Sequence, residues 1–236
     1  MRVFGLLTVL LAISFRVPCQ EKLSETDISP IEGGEGRIIL NDGDELKGMI
    51  HYIQGQNIVS YDSGDVSNSR SMGSRNVVGF EFFDERLEKQ RFFFALPYES
   101  GVPSFFEMIK DFGDFAILYR TDPPTTEIRQ NYNSVSGMSV PAGSVVRLSH
   151  TKTIYFMDSN GIIKPYIQSI DIEIDNGLFE RGRSKNQIVG KDIMQDYIKE
   201  PWYSKLVAYA QENDLKFKVK DDFLKILDYY EFLIKK

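Results

Sequence analysis

The sequence predicts an α+β protein, in which an antiparallel β-sheet forms a sandwich-like or barrel-like body and C-terminal helices pack on it. From about residue 36 to residue 175, short apolar or alternating runs recur between turn-forming residues, which is typical of antiparallel strands. After Gly182 the apolar residues recur every three or four positions, which is typical of helices. This change of period within one chain predicts strands first and helices last.

Four segments follow from these patterns: a signal peptide at residues 1–19, a flexible tether at 20–35, a β-rich body at 36–182 and a helical tail at 183–236. Arg2 gives the first segment a positive start. The apolar run from Val3 to Phe15 is too short for a membrane-spanning helix, which needs roughly 20 residues. Residues 20–35 have few apolar positions, so we expect them not to pack. The tail should dock on the sheet as part of the same unit.

Cys19 is the single cysteine of the chain and decides how the export signal is interpreted. A lipoprotein signal usually places leucine and small residues before its lipid-modified cysteine, and Arg16-Val17-Pro18 matches that pattern poorly. We therefore expect ordinary cleavage, after Cys19 or after Ser14. This predicts an exported protein, periplasmic or extracellular, with no transmembrane segment in the mature chain. A lipid anchor on Cys19 is the alternative.

The charge and cysteine content exclude several kinds of partner and site. Removing the leader takes away two arginines and no acidic residue, so the formal net charge changes from −6 to −8. Such a surface repels phosphate backbones, and we therefore expect no nucleic-acid partner. Cleavage after Cys19 leaves no thiol, and His51 and His150 are far apart in sequence, so no metal or cofactor site is predicted. The sequence leaves the oligomeric state open.

The body should contain short strands separated by tight turns. Asn41-Asp42-Gly43-Asp44 is a strong hairpin signal, because aspartate and glycine tolerate the positive φ that two-residue turns require. Its carboxylates could suggest a calcium loop, but the later ligand positions of an EF-hand are missing. The predicted strands are Arg37–Asn41, Glu45–Ile53, Ile58–Asp62, Asn76–Phe83, Gln90–Leu96, Phe115–Arg120, Val145–Phe156 and Ser169–Asp175.

Two phenylalanine-rich runs predict strands that are covered on both faces. Phe80-Glu81-Phe82-Phe83 and Phe92-Phe93-Phe94 put large rings on both faces of their strands. We expect these rings to lie in the core. An aromatic platform that binds a ligand is the alternative.

The tail should contain three helices. Lys191–Lys199 is a short candidate, and Pro201 suits the first position of a second helix with Trp202, Leu206 and Tyr209 on one face. The third should follow Asp221, and its apolar stripe comprises Phe223, Ile226, Leu227, Tyr230 and Ile234.

Three carboxylates are the candidate site residues of the chain. Asp171, Glu173 and Asp175 alternate with isoleucines, so a strand here would display them on one face, about 7 Å apart. Carboxylates at this spacing could bind a divalent cation or act as acid and base on a glycosidic bond. The sequence favours a simpler interpretation, in which a strand with one solvated face carries polar residues there. No catalytic residue is assigned.

The order of motifs is similar to a loose group of uncharacterised secreted bacterial proteins with a β-rich body and a helical C-terminal tail. The resemblance lies in the Asn41–Asp44 turn with Leu46-Lys47-Gly48 after it, in Val78-Gly79-Phe80, in Ile117-Leu118-Tyr119, and in the tail at residues 226–230. It implies export and this fold, and the group brings no known activity or functional residues.

These observations favour a non-enzymatic envelope or periplasmic protein that binds a partner protein or a surface glycan. One alternative is a hydrolase of glycan or cell-wall material that uses the carboxylates at 171, 173 and 175. A second alternative is an accessory subunit of an outer-membrane assembly. The sequence therefore leaves catalysis open while favouring binding.

Overall fold

The structure is a computed structural model that describes residues 31–64, 69–98, 101–135, 138–175, 180–190 and 192–235. It gives the backbone alone at residues 31, 129–135, 138–146, 174–175 and 180–181. The predicted leader, Cys19 and most of the predicted tether lie outside the described residues.

Twelve strands and three helices make up the described chain. The strands are β1 (Ile31–Leu40), β2 (Glu45–Ile53), β3 (Ile58–Asp62), β4 (Arg70–Gly73), β5 (Val77–Asp84), β6 (Lys89–Pro97), β7 (Pro103–Asp111), β8 (Phe115–Thr121), β9 (Thr125–Val135), β10 (Met138–Asp158), β11 (Ile163–Asp175) and β12 (Glu180–Ile188). The helices are α1 (Ile193–Tyr197), α2 (Trp202–Glu212) and α3 (Lys220–Ile234).

All twelve strands belong to one antiparallel sheet, which confirms the predicted α+β class. The order is β12-β11-β10-β8-β7-β6-β5-β1-β2-β3-β4. Strand β9 pairs with the N-terminal half of the long β10, and β8 pairs with its C-terminal part. The hydrogen-bonded ladder does not close, so the body is a single open sheet with helices on one of its faces.

The part of the sheet from β4 to β7 curls around an aromatic core. The ring of Tyr52 on β2 lies 6.0 Å from that of Phe105 on β7, although β1, β5 and β6 separate these strands in the sheet. Side chains rather than a strand ladder fasten the two ends of the curl. The backbone N–H of Phe105 donates to Asn57 Oδ1 at 3.1 Å, and Ser74 Oγ donates to the Pro103 carbonyl at 2.6 Å.

The predicted tether ends earlier than expected, because β1 begins at Ile31 and not after residue 35. Glycines in this segment serve close backbone approach instead of flexibility. A Cβ on Gly34 would collide with the carbonyl oxygen of Phe83, and a Cβ on Gly36 with that of Glu81. Glycine at such positions lets a strand bend sharply while it stays paired with both neighbours. The same glycines that suggested a tether therefore let β1 lie close to the backbone of β5.

The helical tail docks on the sheet as predicted. The four central residues of the predicted stripe, Phe223, Ile226, Leu227 and Tyr230, are buried against β8, β10 and β11, whereas Ile234 is exposed. Lys110 on β7 adds ion pairs to Asp228 and Glu231 of α3 at 2.8 and 2.7 Å. Within the described residues, no helix combines the length and the hydropathy that crossing a bilayer requires.

Four strands were not predicted: β4, β7, β9 and β12. Strand β12 moves the start of the helical tail from residue 183 to about residue 192. This strand lies at an edge of the sheet, where polar and charged residues are common. Its sequence, ERGRSKNQI, is polar and basic and therefore lacks the alternation that identifies a half-buried strand. In β7, Phe105 and Phe106 are buried on opposite faces, which likewise removes the alternation.

Replacing Gly36 with alanine should lower the free energy of unfolding by about 1–3 kcal/mol, because the new methyl group would push the backbone of β5 away from β1. Gly182→Ala is the matched control, since a Cβ on this strand glycine would meet nothing within 4 Å. Urea unfolding of both variants measures the difference. Equal stability of the two variants would contradict the assigned role of Gly36.

Candidate functional site

The candidate carboxylates lie on the outer part of β11. Asp171 forms an ion pair with Lys152 on β10, with 3.0 Å between Oδ2 and Nζ. Burial opposes ionisation of Asp171, but hydrogen bonds from Ser184 and Lys152 outweigh it and hold its pKa below the ordinary value. Glu173 is exposed on the same face, and the backbone places Asp175 there as well, although its side chain is not described. A general acid needs a raised pKa, so Asp171 lacks the feature that would suit it to that role.

The turn carboxylates have local structural partners. Asp42 accepts the backbone N–H of Asp44 at 3.1 Å, and Asp158 accepts those of Asn160 and Ile162 at 2.9 Å. Gly43 and Gly161 in these turns have positive φ, as the hairpin prediction requires. Among the described residues, no group of three or more potential ligands is arranged to hold a metal ion.

A buried charged cluster, which the sequence did not predict, joins four adjacent strands. Its centre is Arg91 on β6, which is 4 % exposed. Nε and Nη2 donate to both carboxylate oxygens of Glu107 on β7 at 2.8 Å. Nη1 lies 3.1 Å from Asp84 on β5 and 2.7 Å from Glu32 on β1. Three carboxylates thus face a single buried guanidinium, and we call these four residues the Arg91 cluster.

Burial is the main influence on the protonation of Glu32 in the Arg91 cluster. It raises the pKa of Glu32 above its ordinary value, and the neighbouring charges of Glu107 and Asp84 act in the same direction, while Arg91 opposes them. The guanidinium also lies over the rings of Phe82 and Phe93, with 5.6 and 5.1 Å to the ring centroids. The cluster is therefore packed against the aromatic core, and its geometry indicates a role in holding strands together.

The opposite face of the same strands carries exposed aromatic side chains. Phe83, Phe92 and Phe94 are 44 %, 37 % and 36 % exposed. Paired residues of an antiparallel ladder share a face, and Phe92 pairs with Glu81 while Phe94 pairs with Gly79. Phe83 lies two residues after Glu81 and so shares that face. We call these three phenylalanines the outer phenylalanine surface. The prediction that both faces are covered is wrong for these rings, and it holds for Phe80, Phe82 and Phe93, which are buried.

Ion pairs border the outer phenylalanine surface on the side of β1 and β2. Arg37 donates from Nε to Glu81 at 2.7 Å and from Nη1 to Glu45 at 3.1 Å, and Lys47 lies 3.5 Å from Glu45. On the side of β7, Phe92 pairs with the half-buried Met108. An apolar centre with a polar rim is the arrangement that protein interfaces commonly show.

One sequence signal could have identified this surface. In Phe92-Phe93-Phe94 the two outer rings must share one face, and the only residue opposite Phe94 on β5 is a glycine. A Cβ on Gly79 would lie 3.5 Å from Cδ1 of Phe94, so this ring covers the glycine. The sequence could not show that no further layer from the described residues covers the rings.

Comparisons with protein-family models, with curated proteins and with solved structures found no match to this chain. The resemblance to secreted bacterial proteins therefore stays a prediction, and the function has to be argued from the site itself.

Replacing Glu32 with glutamine should change how stability depends on pH. Because the pKa of Glu32 is raised in the folded state, the parent protein loses stability as pH rises from the ordinary value of 4.5 through that higher pKa. The Glu32→Gln variant lacks this loss, so its stability relative to the parent should increase between pH 4 and pH 7. Urea unfolding at both pH values measures it.

Glu35→Gln is the matched control, since Glu35 is exposed on the same strand. A relative stability of Glu32→Gln that instead decreased toward pH 7 would show that Arg91 dominates and that the pKa of Glu32 is lowered.

Proposed function

We propose that this protein is an exported, non-enzymatic binding protein that captures a partner protein on the outer phenylalanine surface. The observation that carries the proposal is the exposure of Phe83, Phe92 and Phe94 together on one face of the sheet. Burying a phenylalanine side chain contributes about 1.5–3 kcal/mol. In the folded protein these three neighbouring side chains still expose apolar surface to water. A partner that covered the rings would bury this surface, and the complex would be stabilised by the corresponding free energy.

The chemistry of the surface favours a protein over a glycan. Phenylalanine rings have no hydroxyl or N–H group, and the nearest acidic side chain, Glu81, is already paired with Arg37. Glycan recognition depends on stacking together with several polar groups that fix the sugar hydroxyls. Protein interfaces commonly have an apolar centre and a charged rim. The phenylalanine rings form the apolar centre here, and Arg37, Glu45 and Lys47 form the rim.

The same reasoning ranks the hydrolase alternative lower. Asp171, one of the candidate carboxylates, forms an ion pair with Lys152 and has a lowered pKa. The accessory subunit of an outer-membrane assembly would be one form of partner binding, in which the partner lies in the membrane. The proposal that the protein is exported depends on the predicted signal peptide at residues 1–19. An exported protein would lie in the periplasm or outside the cell.

A photo-crosslinking amino acid at position 92 or 94 should give an adduct of defined mass with a single protein in the native host. The same amino acid at position 162 is the control, because Ile162 is an exposed apolar residue in the turn between β10 and β11. The double variant Phe92→Ser, Phe94→Ser should weaken binding of the captured protein about tenfold or more, since buried aromatic anchors dominate interface energies.

The double variant should keep the circular-dichroism spectrum of the parent, because both rings are partly exposed. Isolation of a crosslinked glycan would show that the surface binds a saccharide and not a partner protein. Equal crosslinking from positions 92, 94 and 162 would refute the proposed surface.

The mature protein from its native host should have a mass that begins at Gln20, or just after Ser14, and should be found in the soluble pool. Intact-mass spectrometry of fractionated cells measures this. A diacyl adduct on Cys19 in the membrane pool would contradict this prediction and show that the protein is lipid-anchored.

A further inference from the structure

Strand β12 forms one end of the sheet, and no described strand pairs with its outer edge. Its nine residues are enough to accept an added strand, whereas β4 at the other end has only four. Among the described strands, β9 also pairs on one side only, but its sequence contains charges of both signs, at Glu127 and Arg129. An edge of this length offers a row of backbone donors and acceptors to another chain.

The side chains of β12 carry charge of one sign on one face. Arg183 pairs with Ile172 and Lys185 with Ile170, so both basic residues lie on the isoleucine face of the sheet. The backbone places Arg181 at the equivalent position opposite Ile174. Arg183 and Lys185 are exposed, and neither forms an ion pair with a carboxylate in the part of the chain that the structure describes. With respect to the described residues, these cations are therefore available to an anionic partner.

The acidic residues of the neighbouring strand lie on the other face. Asp171 pairs with Ser184, and Glu173 pairs with Gly182. The carboxylates of β11 therefore do not neutralise the basic row of β12. The whole chain has a formal charge of −6, so a local row of unpaired cations would guide an acidic segment to this edge in spite of the net repulsion.

We propose that the edge of β12 binds an extended acidic segment of a partner protein, which adds to the sheet as a further strand. Acidic residues at every second position of that segment would lie on the isoleucine face beside Arg183 and Lys185, and small or apolar residues would alternate with them beside Ser184 and Gly182. A second copy of this chain is a poor occupant. Antiparallel pairing of two β12 strands would put the basic rows of both copies side by side.

This inference does not rest on the outer phenylalanine surface, which lies on other strands of the sheet. Basic residues at a sheet edge can also serve to prevent self-pairing alone. The two roles differ in one measurable respect, because a purely protective edge has no affinity for an acidic strand.

The test uses a fluorescent synthetic peptide of about seven residues that alternates glutamate with valine, a length that matches a typical strand. The full-length mature protein should raise its fluorescence anisotropy. A peptide with lysine in place of glutamate should bind about tenfold more weakly or less, because like charges would then face each other. An acidic peptide with methylated backbone nitrogens should also fail to bind, since it cannot form the added ladder.

Charge reversal of the edge provides the decisive comparison. The variant Arg183→Glu, Lys185→Glu should lose binding of the acidic peptide and gain binding of the lysine peptide. The control Lys218→Glu, Lys225→Glu changes the net charge equally at exposed positions near and on α3, and it should bind as the parent does. The double variant Phe92→Ser, Phe94→Ser should also bind as the parent does, which separates this edge from the proposed phenylalanine surface.

Several outcomes would overturn the inference. They are no binding of the acidic peptide to the parent protein, equal binding of the methylated peptide, or unchanged binding after reversal at positions 183 and 185. A concentration-dependent dimer that disappears on the same reversal would assign the edge to a second copy and would equally overturn it.

Discussion

The ion pairs of Arg91 hold together the part of the sheet on which the rest of the structure depends. The guanidinium contacts carboxylates from three other strands, so β1, β5, β6 and β7 are fixed to one another by side chains as well as by their ladders. Removing one partner from a buried ion pair typically costs about 3–5 kcal/mol, because the remaining charges lose their compensation. Here three carboxylates would remain, and a cost of this size is a large part of the roughly 5–15 kcal/mol by which folded proteins are stable.

The curl that this cluster maintains also decides which rings are exposed. A sheet that curls encloses the residues of its concave face. Tyr52 and Phe80 lie there, and their ring centroids are 4.6–6.0 Å from those of Phe93 and Phe105 and 5.1 Å from each other. Phe83, Phe92 and Phe94 lie on the convex face, where they stay partly exposed. The helices pack on β8, β10 and β11 on the same face as the aromatic core, because Phe93 pairs with Glu107 and Glu107 pairs with Tyr119. They therefore leave the outer phenylalanine surface exposed.

Local patterns predicted β2 and β3 residue for residue, and they predicted the buried stripe of α3. The Arg91 cluster was less accessible to sequence analysis, because its members are distant in sequence. Glu32 lies in the segment that was expected to be a tether, and Glu107 lies in a strand that was not predicted. The charges of Arg91 and Asp84 have no spacing that distinguishes them from surface residues. Only pairing of the strands brings these four side chains together.

The sequence by itself determined the α+β class, the hairpin at residues 41–44 and the face of the last helix that is buried. These features depend on periodicity and on backbone preferences within a few residues, and each segment carries that information alone. The tertiary structure decided that glycines 34 and 36 lie against the backbone of β5, that Arg91 meets three carboxylates, and that β12 is an edge. Each of these depends on which strand lies opposite, and pairing across the sheet is a property of the whole chain that no local pattern contains.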